Sequence, residues 1–122
     1  MNAAGGTERK RRLERKGRRA EWLAALALTL RGYRIAALRY RTRAGEIDIV
    51  ARKGDLIAFV EVKARRDLAS GVDAVSHSAQ RRIRDAGSTF ISEQKDSAQL
   101  SWRFDIVVVS PWRWPVHLKD AF

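Results

Sequence analysis

The chain has 122 residues, no cysteine, and 25 Lys and Arg against 14 Asp and Glu, for a formal net charge of +11. That length holds one modest core and not two, and the lack of cysteine excludes disulfides, thiolate catalysis and Cys-ligated zinc. So large a positive excess favours polyanions, nucleic acid or an anionic surface, while the nine-residue apolar run 22–30 is too short to cross a bilayer.

Residues 1–7 carry two adjacent glycines and few large side chains, the composition of a disordered tail. From residue 8 to 31, Leu13, Trp22, Leu23, Leu26, Ala27 and Leu30 fall at helical steps, which predicts a helix. Its first half is strongly basic and its second half apolar, and Gly32 is a suitable stop. Glu8, Glu14 and Glu21 among the basic residues argue against a transit peptide, and no secretory pattern is visible, so the expected location is cytoplasmic. Residues 33–40 are rich in β-formers and give a first strand. Second and third strands follow at 46–51 and 56–63, joined through Arg52-Lys53-Gly54-Asp55, a hairpin signal. Residues 65–71 read as loop, and Val72, Val75, Ala79, Ile83, Ala86 and Phe90 then predict a helix reaching about residue 93. A fourth strand covers 104–109, and Pro111 and Pro115 break what comes after. Residues 111–122 are left as a C-terminal tail with one edge strand near 116–118. A helix between strands three and four requires a crossover, hence a parallel pair within a mixed sheet covered by helices. The expectation is one α/β domain over 8–110.

The chemistry concentrates in Gly45-Glu46-Ile47-Asp48-Ile49-Val50 and Phe59-Val60-Glu61-Val62-Lys63. Charges inside apolar, β-branched runs are costly unless paired or bound to a metal. Strand residues two apart share a face, so Glu46 goes with Asp48 and Glu61 with Lys63. Neighbouring strands would gather all four. Two carboxylates suit Mg²⁺ or Mn²⁺, which takes a few carboxylates plus waters and substrate phosphates. Such an ion assists phosphodiester hydrolysis by neutralising phosphoryl charge, acidifying a water and steadying the leaving oxygen. Lys63 beside them is placed to hold or deprotonate the attacking water.

Asp48, twelve intervening residues, then Glu61-Val62-Lys63 resembles the PD-(D/E)xK nuclease motif, whose restriction-endonuclease-like core runs α-β-β-β-α-β. More narrowly, Gly45-Glu46-Ile47-Asp48-Ile49-Val50-Ala51 with Phe59-Val60-Glu61-Val62-Lys63-Ala64-Arg65 resembles the YraN family of small endonuclease-like proteins, which is similar to archaeal Holliday-junction resolvases. Glu21, Gly32-Tyr33, Arg41, Ala74-Val75-Ser76, Gln80-Arg81-Arg82-Ile83 and Arg103-Phe104-Asp105 extend the likeness over residues 15–109. The resemblance implies Asp48 and Glu61 as metal ligands, Lys63 as the catalytic lysine, and Glu21 as an acidic residue near the metal. It implies Glu46 and Gln80 as supporting residues, and branched or junction DNA as substrate. Ala79 stands where the pattern has a lysine and Ala20 where it has a glycine. The loss of that lysine favours the alternative, a non-catalytic nucleic-acid-binding protein that retains the nuclease fold.

Residues 9–19 hold eight Lys or Arg among eleven. Arg11, Arg12, Arg15, Lys16, Arg18 and Arg19 are the expected phosphate contacts, extended by Arg65, Arg81 and Arg82. With no sequence-reading motif visible, backbone or junction shape is what such a surface would recognise. Glu46 has a second reading as a strand-edge residue paired with Arg43 or Arg52. Arg103 and Asp105 suit a structural ion pair, and His77 and His117 read as incidental. Trp102, Trp112 and Trp114 suit either base stacking or packing. Junction cutting needs two sites, so a homodimer is the expected assembly.

Overall fold

The β-branched runs on either side of Gly54 pair as an antiparallel hairpin at the heart of a five-stranded sheet. A computed structural model describes residues 3–68 and 75–122, without the side chains of residues 3–6, 13, 14 and 16. Helix α1 (Ala3–Leu30) is followed by β1 (Arg34–Arg41), β2 (Glu46–Lys53) and β3 (Leu56–Ala64). Helix α2 (His77–Ser92), a single 3₁₀ turn at Ser97–Gln99, β4 (Ser101–Val109) and β5 (Val116–Leu118) complete the described elements. Sheet order equals chain order, with β3 and β4 parallel and every other pair antiparallel. The expected mixed α/β sheet flanked by helices is the observed fold, and it is compatible with a restriction-endonuclease-like core.

The period of two along β3 divides the core between the sheet faces. Ile57 and Phe59 pack towards α2 with Ile83, Ala86 and Phe90. Ala58 and Val60 join Ala24 and Leu28 of α1 on the other face. Gly32 ends α1 at a φ of 93°, with its N–H donating to Thr29 O, a conformation that costs glycine little.

Both helix starts differ from expectation. Helix α1 begins at Ala3 and takes in the glycines expected as a tail. Once nucleated, a helix adds a hydrogen bond per residue, and glycine weakens it by only about 1 kcal/mol relative to alanine. Helix α2 starts at His77 because Ser76, an N-cap, accepts the Ala79 N–H through its side chain. Val75 is therefore a buried loop residue, and Val72 lies outside the described residues.

Residues 111–122 are no loose tail. Strand β5 pairs with β4, Leu118, Ala121 and Phe122 pack on the α2-side core, and Ala121 N–H donates to Phe104 O. Asp105, fully buried, accepts from Arg103 Nε at 2.9 and 3.0 Å, from the Asp120 amide at 2.9 Å, and lies 2.7 Å from His117 Nε2. Burial opposes ionisation of Asp105, yet His117, Arg103 and the Asp120 amide together hold its carboxyl below the usual range. The Arg103–Asp105 pair expected from the sequence is present. His117, expected to be incidental, is a buried tether.

Candidate active site

Strands β2 and β3 keep a regular ladder from Lys53↔Leu56 to Ile49↔Val60. Continued, the register would bring Val62 opposite Ile47. Instead the Val62 N–H donates to Asp48 Oδ2 at 2.8 Å, so a carboxylate takes the place of a ladder carbonyl and the strands fork. Across from Asp48 on the other side, Arg39 has a φ of 53° between the pairs Leu38↔Ile49 and Tyr40↔Ile47. This left-handed residue turns its side chain towards α1, where Arg39 Nε bonds Glu21 Oε2 at 2.9 Å. Charges from α1, β1, β2 and β3 thus meet at one end of the sheet.

Lys63 Nζ lies 3.3 Å from Glu61 Oε1, with both side chains largely covered. Burial first, and then the neighbouring Glu61 charge, push the Asp48 carboxyl up to about 7, against the Val62 hydrogen bond, which favours ionisation. Glu21 adds a smaller repulsion. The site is therefore rich in acidic oxygen and short of positive charge.

Each candidate from the sequence has a definite place. Asp48, Glu61 and Lys63 come together at the fork, with Glu21 close enough to be felt by Asp48 but paired to Arg39. Glu46 does not join them. Its carboxylate pairs with Arg41 Nε at 3.2 Å, directly across the strand and not with Arg43 or Arg52. Ile47 packs in the α2-side core and Ile49 in the α1-side core, so alternation along β2 breaks at Asp48 and Glu46 does not share its face. Gln80 Nε2 donates to Val75 O at 3.2 Å, closing the turn into α2. Arg11, Arg12, Arg15, Arg18, Arg19, Arg65, Arg81 and Arg82 are exposed, whereas the side chain of Lys16 lies outside the described residues.

Gly45, just ahead of the fork, lies close against α2. A Cβ there would stand 3.0 Å from Arg82 Cβ and 3.4 Å from Arg82 O, tight enough that Arg82 would have to give way slightly. The turn is closed by Thr42, whose hydroxyl accepts from the Ala44 and Gly45 amides at 3.1 Å. Two residues escaped the sequence reading: Arg39, which looks like any strand arginine, and Thr42, which has only its turn position to mark it.

Among the described residues, no group of three or more His, Asp or Glu side chains forms a ready-made metal cage. No helix among them is long and apolar enough to cross a membrane. The family model described as "Uncharacterised protein family UPF0102" matches residues 20–109. The chain belongs to the UPF0102 family. A UPF0102 protein of Mesorhizobium japonicum is 58% identical over 108 residues, 88% of this chain and 86% of the relative. One from Sinorhizobium medicae is 57% identical over 122 residues, the whole of both chains. One from Rhizobium etli is 58% identical over 113 residues, 93% of each. The UPF0102 match takes in Glu21, Asp48, Glu61 and Lys63, and leaves out the most basic part of α1 and the segment after Val109.

Proposed function

We propose that this UPF0102 protein is a Mg²⁺- or Mn²⁺-dependent endonuclease of the PD-(D/E)xK type that hydrolyses structured DNA, branched or junction DNA foremost. The observation that carries the reading is the fork, where a half-buried Asp48 and Glu61 lie together beside Lys63. The donor set fits a hard divalent cation: oxygen ligands, an excess of negative charge, and a carboxyl whose ionisation burial and repulsion resist. Asp48 and Glu61 would hold the ion, and two carboxylates suffice because waters and substrate phosphate complete Mg²⁺ coordination. When bound, the ion neutralises phosphoryl charge, acidifies a water and steadies the leaving oxygen. Lys63, held by Glu61, supplies a cation for the developing phosphorane charge and a hydrogen bond to orient the nucleophile. The Arg39–Glu21 pair fixes the far wall. The exposed arginines of α1 and α2 collect the phosphate backbone.

The same reading includes a cytoplasmic location and a homodimer, since cutting two strands of a junction takes two sites. A groove of about 570 Å³ between α1 and β1, lined by Trp22, Leu26 and Leu38, runs up to the Arg39–Glu21 pair.

The test is a panel of labelled junction, flap, single-stranded and duplex DNAs incubated with Mn²⁺. The wild type should cut, and Asp48→Ala, Glu61→Ala and Lys63→Ala should each reduce cleavage by about a hundredfold or more while DNA binding persists. Undiminished cleavage by all three variants overturns the assignment. Ala79 favours a second reading, a DNA-binding protein that keeps the fold without catalysis. Ala79 is partly buried against the core at the start of α2 and brings no cation there. Calorimetric titration with Mn²⁺ separates the two, because only the nuclease reading expects a site that depends on Asp48 and Glu61.

A further inference from the structure

The segment between β4 and β5 reads Pro111-Trp112-Arg113-Trp114-Pro115. Its ends are anchored: Ser110 and Pro115 are buried, β4 pairs on one side and β5 on the other. Between those anchors Trp112 is 102% exposed and Trp114 53% exposed, so neither indole belongs to the core. Trp112 also has a φ of 62°, a left-handed conformation uncommon for a bulky residue, which persists only where the flanking structure imposes it. Two large apolar rings are thus held out in water on a short, fixed loop with Arg113 between them, all three exposed.

The loop's position gives this a meaning. Strand β4 is parallel to β3, with Ile106 beside Glu61 and Val108 beside Lys63. The Arg65 N–H donates to Val109 O at 3.0 Å, so β3 and β4 leave the sheet side by side. The loop begins two residues later, at the same end of the sheet as the charged fork. Exposed rings alternating with an arginine, on a chain of net charge +11, complement a ligand that presents both flat π faces and anionic phosphates. Unpaired nucleotides do so; the bases of a closed duplex keep their faces stacked on one another.

We infer that Trp112 and Trp114 form a stacking site for unpaired bases at the mouth of the fork, with Arg113 and Arg65 on the adjoining phosphates. The inference rests on the nuclease reading for its purpose and specifies the substrate class: DNA with splayed or single-stranded nucleotides next to the strand to be cut. A membrane surface, which indoles also favour, is the competing outcome of the test.

The test uses the full chain in EDTA, so that binding is measured without cleavage. Fluorescence anisotropy compares a duplex bearing a short unpaired flap with a fully paired duplex of equal phosphate number. The double variant Trp112→Ala/Trp114→Ala should lose about tenfold affinity for the flap DNA and none for the paired duplex, with its melting temperature unchanged. Trp112→Phe/Trp114→Phe should keep most of the preference, since a ring remains. Equal loss on both DNAs, or no loss on the flap, overturns the inference. Loss confined to phosphatidylglycerol vesicles overturns it too and assigns the loop to a membrane surface. Failure of the nuclease reading is separable: a wild type that never cuts with Mn²⁺ yet keeps a Trp-dependent flap preference leaves the stacking site standing.

Discussion

Asp48 carries two duties that conflict. Its carboxylate ends the β2–β3 ladder by accepting the Val62 N–H, and it is the proposed metal ligand. Burial and the Glu61 charge raise its ionisation to about 7, above the ordinary carboxylate value of 3.8. A folded value above the unfolded one means that the fold favours the protonated form. The stabilisation is fully present at acid pH and is lost as pH rises through about 7. Without divalent cation the wild type should therefore melt lower at pH 8 than Asp48→Asn, which keeps an oxygen for Val62. The difference should be on the order of 2 kcal/mol and should vanish near pH 4. Mn²⁺ at pH 8 should raise the melting temperature of the wild type and not of the variant. Thermal denaturation at the two pH values checks all three expectations, and equal melting at pH 8 refutes them. The partnership of Asp48 with Glu61 and Lys63 was legible in the sequence because strand alternation and two apolar runs suffice to bring them together. The escape of Glu46 to Arg41 was not, because it goes with a break in the alternation of β2 at Asp48, which no residue type there announces.

At the scale of elements, the strands and both helices were legible from periodicity, while the last dozen residues were misread. Strand β5 could be seen in Val116–Leu118, yet its hold on the sheet rests on Asp105 and His117, which only the pairing of β4 with β5 brings together. His77 and His117 look alike in sequence. One is exposed at the start of α2, and the other is buried against a carboxylate and the edge of Tyr33, with ring centres 5.7 Å apart. His117→Ala should cost about 2 kcal/mol in urea denaturation, through an emptied space and a lost hydrogen bond to a charged partner, whereas His77→Ala should cost nothing measurable. Equal stability of both variants would mean that the C-terminal segment is not tied down through Asp105. Because that segment follows the Trp112 loop, the same tether fixes one of its two stalks.

Over the whole molecule, charge and chemistry are divided between layers. The sheet end holds Asp48, Glu61 and Lys63, while the exposed arginines lie on the helices and at the strand exits. The basic half of α1 contributes little to the core, so replacing Arg11, Arg12, Arg18 and Arg19 with Gln should leave the fold intact. The slope of log affinity against log salt on duplex DNA should fall by about 0.9 for each phosphate contact removed. Cleavage at saturating DNA should be little changed, because Asp48, Glu61 and Lys63 stay in place. A slope identical to that of the wild type would place the DNA elsewhere. The division was visible in composition, since eight basic residues in eleven mark a solvated, strongly charged helix face. Which face of the sheet each helix covers was not, because that follows from the crossover and not from any residue.

The hydrogen bond from Val62 to Asp48 gives the backbone an unusual witness. A ladder amide normally faces a carbonyl whose charge never changes, and its resonance is uninformative about chemistry nearby. The Val62 amide faces a carboxylate whose occupancy by a proton or a cation alters the field along the N–H bond. One peak in an NMR spectrum therefore reads out the ionic state of the fork directly, in the wild type and in variants at Glu61 and Lys63 alike.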